Sequence, residues 1–392
     1  MESQTAPSAC RVPAEAAGSC GLITVSVDSA LTGSRLAEVS VGPESTVLEL
    51  ARTVSSAAGL EEWPALLCGG GVLPAWHRLT QAGLRDGASL QAVVRPPPAV
   101  VTASSDRTVR IWDPQTGDCR RTLEGHEATV SSAFFSCDGQ YIISGSDDGT
   151  ARIWSADTGV CVRTLRGHAD GVWCAAFSPD RASAITGSND STAKLWDVAT
   201  GECTRTLEGH TDCIWWASFS PAGSAVVTCS VDGSVRVWSP ETGRCRRTIA
   251  HHPGIVSSAS FSPDGQSLVT SCTDAVARIW SLLEESKLPV LLLSGHSHDI
   301  WWASFSPDGQ SVVTASFDKT ARLWSAITGK CRLVLQGHLD GVLSANFSPH
   351  GQHVVTGSDD CTAMLWNSTS GDCECTFIGH TGVVTSASFA PF

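Results

Sequence analysis

The sequence predicts an all-β, seven-bladed β-propeller with a small α+β domain ahead of it. Three observations carry this. Tryptophan recurs at positions 112, 154, 196, 238, 280, 324 and 366, a spacing of 42 residues with one interval of 44, inside the range that marks propeller repeats. Each of these tryptophans has a Ser or Thr ten residues before it, an Asp six residues before it, and a His ahead of the unit's first strand. Within a unit, short β-rich runs alternate with turn sequences such as SPAG, VDG and ETG, which makes four strands per unit.

The frame reads His126, Ser144, Asp148 and Trp154 in the second unit, and His210, Thr228, Asp232 and Trp238 in the fourth. These units resemble the WD-repeat family through the Gly-His opening, the FSPDG turn, the Asp ahead of the Trp strand and the period. The resemblance covers residues 99–392. Two features depart from it. Asp follows the Trp only at 113 and 197, and the fifth unit reads AHHPGIV with an enlarged SLLEESKLPVLLL connection. The region opens on a second and third strand, AVVTASSD and TVRIW, and closes on a first strand, TGVVTSASFAPF. A strand at 383–389 is therefore expected to complete the first blade, bringing His380 to Thr102, Asp106 and Trp112 and leaving no loose sheet edge.

Composition sets outer bounds. The 392 residues are 42% hydrophobic and 17% charged, a globular balance. The net charge is −13, with 9 acidic and 6 basic residues up to position 95 and 30 against 20 beyond it. Two acidic halves offer no general affinity for nucleic acid or anionic lipid. The apolar run at 288–293 falls far short of the roughly 18 residues of a membrane helix, and the first twenty residues lack a secretory apolar core. The chain is expected in the cytoplasm, with the nucleus as the alternative, and without nucleic-acid or membrane partners. Six of its 16 cysteines share one repeat position, Cys119, Cys161, Cys203, Cys245, Cys331 and Cys373, and are expected as free, mostly buried thiols, since units of an array lie too far apart for disulfides.

Ser, His and Asp in one unit suggest a hydrolase triad, but seven equivalent copies argue for scaffold. The family resemblance implies a buried hydrogen-bond network from His through Asp and Ser/Thr to the indole. Each group would cost about 1–3 kcal/mol if buried unpaired. Basic residues two before the Trp (Arg110, Arg152, Lys194, Arg236, Arg278, Arg322) share a strand face with it and are expected to pack their stems there. His251, His252, His296 and His298 lack zinc-site spacing, so no metal and no cofactor is expected. The sequons at Asn189, Asn346 and Asn367 are read as chance.

Differences between units point to binding. Five residues after the loop His stand Trp173, Trp215 and Trp301 in the third, fourth and sixth units and Leu343 in the seventh, against Ser131, Ser257 and Thr385 elsewhere. Val231 and Phe317 precede the turn Asp in the fourth and sixth. In the family this region lies at the channel mouth on the loop-bearing face, where partners dock. The arc is either partner-binding or core filling. Trp215 and Trp216 must point to opposite sides, as must Trp301 and Trp302, so one of each pair is expected between blades.

The first 95 residues read as two alternating strands and a helix from about Ser45, with Val47, Leu48, Leu50, Ala51 and Val54 as its apolar set and Gly59 as its end. LLCGGGVL and TQAGLRDGASLQAVVR follow, with Leu79 and Leu84 as anchors. This order is similar to the ubiquitin-like β-grasp. The chain runs from Arg95 into Pro96, Pro97 and Pro98, and the first Lys is Lys194. The domain therefore cannot serve as a conjugated tag or extend chains on its own lysines. Leu67 and Val93 match the family's apolar patch and either retain that recognition surface or cover core. The expected organisation is a disordered 1–20, a ubiquitin-like domain at 21–95, a stiff proline linker at 96–98, and the propeller at 99–392.

The favoured function is a non-enzymatic protein-protein interaction scaffold that binds a protein or peptide on its loop face. The alternative is an adaptor in the ubiquitin–proteasome system that docks a ubiquitin receptor or the proteasome. A propeller hydrolase ranks last, because no unique nucleophile, base or metal set breaks the repeat.

Overall fold

Apolar residues alternate with polar ones from Ile23 to Val27 and from Ala37 to Val41, and this period gives each of two strands one buried face. The computed structural model describes residues 23–29, 35–42, 45, 47–58, 65–68, 71–72, 84, 88–93 and 99–391 except 251 and 284–287. The expected disorder of 1–20, the Gly59 helix end, Leu79 and the 96–98 linker lie outside the described residues, as do the side chains of Leu48, Leu67 and Val93. The chain divides into two units, Met1–Val93 and Val94–Phe392.

In the first unit, β1 (Ile23–Ser29), β2 (Arg35–Val41), α1 (Val47–Ala58), β3 (Ala65–Cys68), β4 (Gly71–Val72) and β5 (Ala88–Val93) follow one another. The sheet order is β2-β1-β5-β3-β4. β1 and β5 run parallel, with Val25 opposite Ala88, and the other pairs are antiparallel. Val47, Leu50, Ala51 and Val54 make the buried stripe of α1 at helical spacing and pack with Val25, Val27, Val39, Leu84 and Leu90. Val93 stands opposite Ala65 in the β5–β3 pairing.

The second unit is all-β. Among the described residues it comprises seven four-stranded antiparallel sheets. The first strand of each sheet packs against the first strands of its two neighbours, and Val384–Phe389 closes the cycle by packing against both Val342–Phe347 and Val130–Phe135. Hydrogen bonds stitch these strands together: Ala175 N donates to Ser132 Oγ at 3.1 Å and Ala303 N to Ser258 Oγ at 2.9 Å. The sheet holding Val100–Ser104, Val109–Trp112 and Cys119–Leu123 takes its innermost strand from Val384–Phe389, with Ala387 opposite Thr102.

Antiparallel succession puts the turns between second and third strands on one rim of the ring, together with the loops that lead from one sheet to the next. The Gly-His motif belongs to these loops. Gly125, Gly209 and Gly379 have φ of 147°, 145° and 156°, and a Cβ there would meet the Cη2 of Trp154, Trp238 and Trp112 at 3.3, 3.4 and 3.2 Å. Glycine lets the loop close over each indole.

The repeat-frame cysteines correct one expectation. Cys119, Cys203, Cys245, Cys331 and Cys373 are exposed, and Cys161 is half-buried. Each opens the fourth, outermost strand, where in Cys119–Leu123 only the last residue is buried. The buried thiols are instead Cys174, Cys229 and Cys272 on first and second strands, and burial pushes Cys174 up to about 12.

Closure of the ring by the C-terminal strand makes a direct prediction. Truncation after Gly379 removes His380 and the buried Val384 and Ala387, of which Val384 alone contributes about 1.5–3 kcal/mol. It also exposes an open edge beside Val100–Ser104. The truncated chain should melt far below the full chain or aggregate, and an unchanged calorimetric melting curve would refute this closure.

Candidate functional site

One relay of side chains fixes the loop rim of nearly every sheet. In the second sheet the indole N–H of Trp154 donates to Ser144 Oγ at 2.8 Å, Ser144 Oγ lies 2.7 Å from His126 Nε2, and His126 Nδ1 lies 2.8 Å from Asp148 Oδ2. The ionised carboxylate can only accept, so Nδ1 carries the ring proton, Nε2 is the acceptor, and the hydroxyl, which accepts from the indole, donates its own proton to Nε2. The imidazole is then neutral with its proton on Nδ1, which donates to the carboxylate. His210, Thr228, Asp232 and Trp238 repeat this within 2.9 Å at each step. Across the chain ends, Trp112 Nε1 donates to Thr102 Oγ1, which meets His380 Nε2, and His380 Nδ1 donates to Asp106 Oδ2, each at 2.7 Å. The third, sixth and seventh sheets carry the same order.

Electrostatics agree with that tautomer. Burial pushes His126, His168, His210, His338 and His380 below the ordinary 6.5, against the pull of their carboxylates. At Asp148 burial opposes ionisation, but hydrogen bonds from Thr150, His126 and the Glu127 backbone outweigh it and hold the carboxyl at about 2. Asp106, Asp190 and Asp232 are held at about 2 by equivalent bonds. The relay hydroxyls, Ser144 and Thr228 among them, are wholly buried and bound to indoles, so none is presented to a substrate.

The fifth sheet breaks the relay. His252 Nε2 keeps its contact with Thr270 Oγ1 at 2.9 Å, but Asp274 pairs with Arg278, Nη1 to Oδ1 at 3.0 Å. One of two differences lies one residue after the loop His. Elsewhere that residue's backbone N–H donates to the turn Asp, as Glu127 does to Asp148 and Thr211 to Asp232. Here it is Pro253, which has no N–H; the other is Val276, which stands where the remaining turns carry a Ser or Thr whose hydroxyl donates to the Asp, and Asp274 pairs with the guanidinium instead. With its Arg so engaged, the fifth sheet departs from the packing seen where Arg110, Arg152 and Arg236 lie 5.9, 5.9 and 5.8 Å from the rings of Trp112, Trp154 and Trp238.

The centre of the ring is closed by aromatics from alternate sheets. Trp216 of the fourth sheet and Trp302 of the sixth meet at 4.5 Å between centroids, and Phe134 of the second lies 5.6 Å from Trp216 and 6.1 Å from Trp302. First strands of non-adjacent sheets face each other only across the axis, so these rings plug the channel. The same two indoles also belong to the apolar clusters between neighbouring sheets, Trp302 with Val342 and Trp366 of the seventh and Trp216 with Val256 and Trp280 of the fifth. Phe134 escaped notice in the sequence. Its signal was available, since the corresponding residue of the other units is Ala176, Ser218, Ser260, Ser304, Asn346 or Ser388.

One residue toward the loop rim runs a second aromatic set. Trp173 and Trp215 lie 5.7 Å apart, Trp215 stacks on Trp301 at 5.0 Å and 18°, and Trp301 meets Phe317 edge-on at 5.3 Å. His298 extends the row, 5.8 Å from Phe317. All five rings except His298, which is exposed, are half-buried. Trp173 Nε1 donates to Asn189 Oδ1. Val231 and Leu343 are half-buried in their own sheets, and no ring contact ties them to the row among the described residues. Two of the three units with small residues use them for stitching: Ser257 Oγ donates to Ile300 O at 2.7 Å and Thr385 Oγ1 to Val130 O at 2.6 Å. Among the described residues no group of His, Cys, Asp or Glu could hold a metal ion.

Comparison with known proteins finds WD40 repeats in this chain. The "WD domain, G-beta repeat" family matches residues 93–113, 117–155 and 329–367, and the "IFT122 first beta-propeller" family matches 152–326. Among curated proteins, the chain is 47% identical over 45 residues to the nuclear distribution protein PAC1 of Arthroderma benhamiae, which is 12% of this chain and 10% of that protein. It is 49% identical over 45 residues to PAC1-2 of Uncinocarpus reesii, with 12% and 10% covered. It is 47% identical over 47 residues to a probable coatomer subunit beta' of Schizosaccharomyces pombe, with 12% and 6% covered. The chain thus spans about a tenth or less of the length of these relatives. WD40 repeats of this kind support a protein-interaction scaffold.

The relay predicts how stability depends on pH. Folding favours neutral His, so the unfolded chain takes up protons first as pH falls below the ordinary 6.5. It favours ionised Asp too, so a second loss follows between the ordinary 3.8 and about 2. Both shifts make stability highest above pH 6.5 and lower on acidification. In a pH series of chemical denaturation, His210→Ala should cost about 1–3 kcal/mol at neutral pH by leaving Asp232 and Thr228 short of a partner. Stability that rises on going from pH 7 to pH 5 would contradict the assigned tautomer.

Proposed function

We propose that this chain is a non-enzymatic scaffold, a seven-bladed WD-repeat propeller that docks a protein or peptide on the loop rim of its ring. The observation that carries this reading is the half-exposed row of Trp173, Trp215, Trp301 and Phe317. Rigid aromatic surface of this kind is typical of interface hot spots, and the row lies above a plugged channel, so a partner would lie across the mouth and not thread it. Binders selected from an unbiased peptide display library against the full chain should lose about 2 kcal/mol or more of affinity on Trp215→Ala or Trp301→Ala. Thr385→Ala should matter little. The comparison holds for variants that melt with the parent chain, and variants that melt much lower yet bind normally would make these rings core.

A second reading adds an adaptor role for the first unit. The order β2-β1-β5-β3-β4 with β1 and β5 parallel supports a ubiquitin-like β-grasp there, and with it docking to a ubiquitin receptor or the proteasome. Purified 26S proteasome should then retain the full chain but not a chain lacking residues 1–95. Equal retention, or none, would remove this reading.

A further inference from the structure

We infer that the partner segment is cationic: an extended peptide that lays basic side chains, arginine above all, over the two ends of the aromatic row. This rests on the loop-rim reading above and names the chemistry it would recognise. The row is bracketed by carboxylates. At the Trp173 end, a Cβ on Gly171 would meet Asp147 Oδ1 at 3.2 Å and Asn189 Nδ2 at 3.4 Å, which sets Asp147 beside the amide that holds the Trp173 indole. Asp170 adjoins it, and its backbone O lies 3.6 Å from where Gly149 would carry a Cβ. At the other end, Phe317 crowds the backbone of Gly341, and Asp359 Oδ2 lies 3.0 Å from that same Cβ position. Asp340 stands beside it.

Among the described residues Asp147, Asp170 and Asp359 have no cationic partner, and Asp340 alone has one, Lys319. Asp147 receives one long bond from Ser131 Oγ, at 3.5 Å, and Lys319 is engaged with Asp340 at 3.8 Å and with Leu339 O at 2.7 Å. Reduced hydration and the neighbouring Asp170 and Asp148 raise the Asp147 carboxyl, and reduced hydration with the neighbouring Asp340 and Asp360 raises that of Asp359. The turn carboxylates Asp106, Asp148, Asp190 and Asp232 shift the other way. Between the two ends, Trp215 and Trp301 stack on one another at 5.0 Å, too close for a group to enter between them, so a basic group is directed to the ends of the row. Trp301 Nε1 is buried without a partner, so apolar burial and ring contact hold this surface in place. A guanidinium suits both parts, since it is weakly hydrated, lies flat on an indole and forks onto a carboxylate. Acidic or phosphorylated segments would meet repulsion at both ends.

The test is selection of random dodecapeptides displayed on phage against the full chain, followed by titration of synthetic copies. Enriched peptides should carry Arg or Lys flanking an apolar residue, and Arg→Glu versions should not bind. Asp147→Asn with Asp359→Asn should weaken them about tenfold or more, whereas Glu241→Gln on the opposite rim should leave them unchanged. Added salt should weaken binding as well. Neutral or acidic binders that protect the Trp173, Trp215 and Trp301 strands from hydrogen exchange would overturn the cationic assignment alone. Protection elsewhere would overturn the docking surface with it. Selection without enrichment, or undiminished binding by the double variant, also counts against the inference.

Discussion

A single hydroxyl, placed between an indole and an imidazole, decides how each sheet presents its loops. Ser144 or Thr228 sits on a second strand, its Trp on the third, its His on the incoming loop and the Asp on the turn. Four pieces of backbone are thus fixed by one proton order. The hydroxyl takes the indole proton and gives its own to Nε2, and the ring must then offer Nδ1–H to the carboxylate. Reversing any step leaves a buried donor or acceptor unmet, at about 1–3 kcal/mol. Loop positions on the rim are consequently set by strand geometry, which is what a docking face needs if little ordering cost is to be met on binding.

Where the relay is altered, the ring also changes its use of space. Pro253 removes one donor to Asp274, and Arg278 moves in to satisfy the carboxylate. The fifth sheet also carries Ser257 and Ser258 at the positions that hold Trp in the fourth and sixth. Both serines bond to Ser271 at 2.8 and 2.7 Å. They take up little volume, and this lets the indoles of the two flanking sheets meet over them.

Much of this architecture was legible in the sequence, because the repeat carries its own register. A Trp, Asp, Ser/Thr and His at fixed offsets identify strands, turns and loops together, and the unpaired strands at the two ends imply a sheet shared between them. The cysteines were misread because strand burial was assumed for all four strands, whereas the fourth lies at the circumference with one buried residue. The channel plug was hidden for a different reason. Trp216, Trp302 and Phe134 come from units separated by 86 and 82 residues in the numbering, and periodicity says which residues are equivalent without saying which meet across an axis.

The aromatic row follows from the same geometry. A ring of seven first strands leaves an axial space that small side chains cannot fill, and a polar channel would have needed water or partners for each exposed backbone group. This chain fills it with Phe134, Trp216 and Trp302 of the second, fourth and sixth sheets on one level and Trp173, Trp215 and Trp301 of the third, fourth and sixth on the next. In the lower level Trp302 is 7% exposed, while Phe134 and Trp216 are half-buried. The upper level stands at the rim with its faces half open. Core packing and recognition are therefore not competing accounts of these tryptophans: each pair of adjacent residues, Trp215 with Trp216 and Trp301 with Trp302, directs one ring into the plug and the other onto its surface, so the stability of the centre supplies the rigidity of the floor on which a partner would rest.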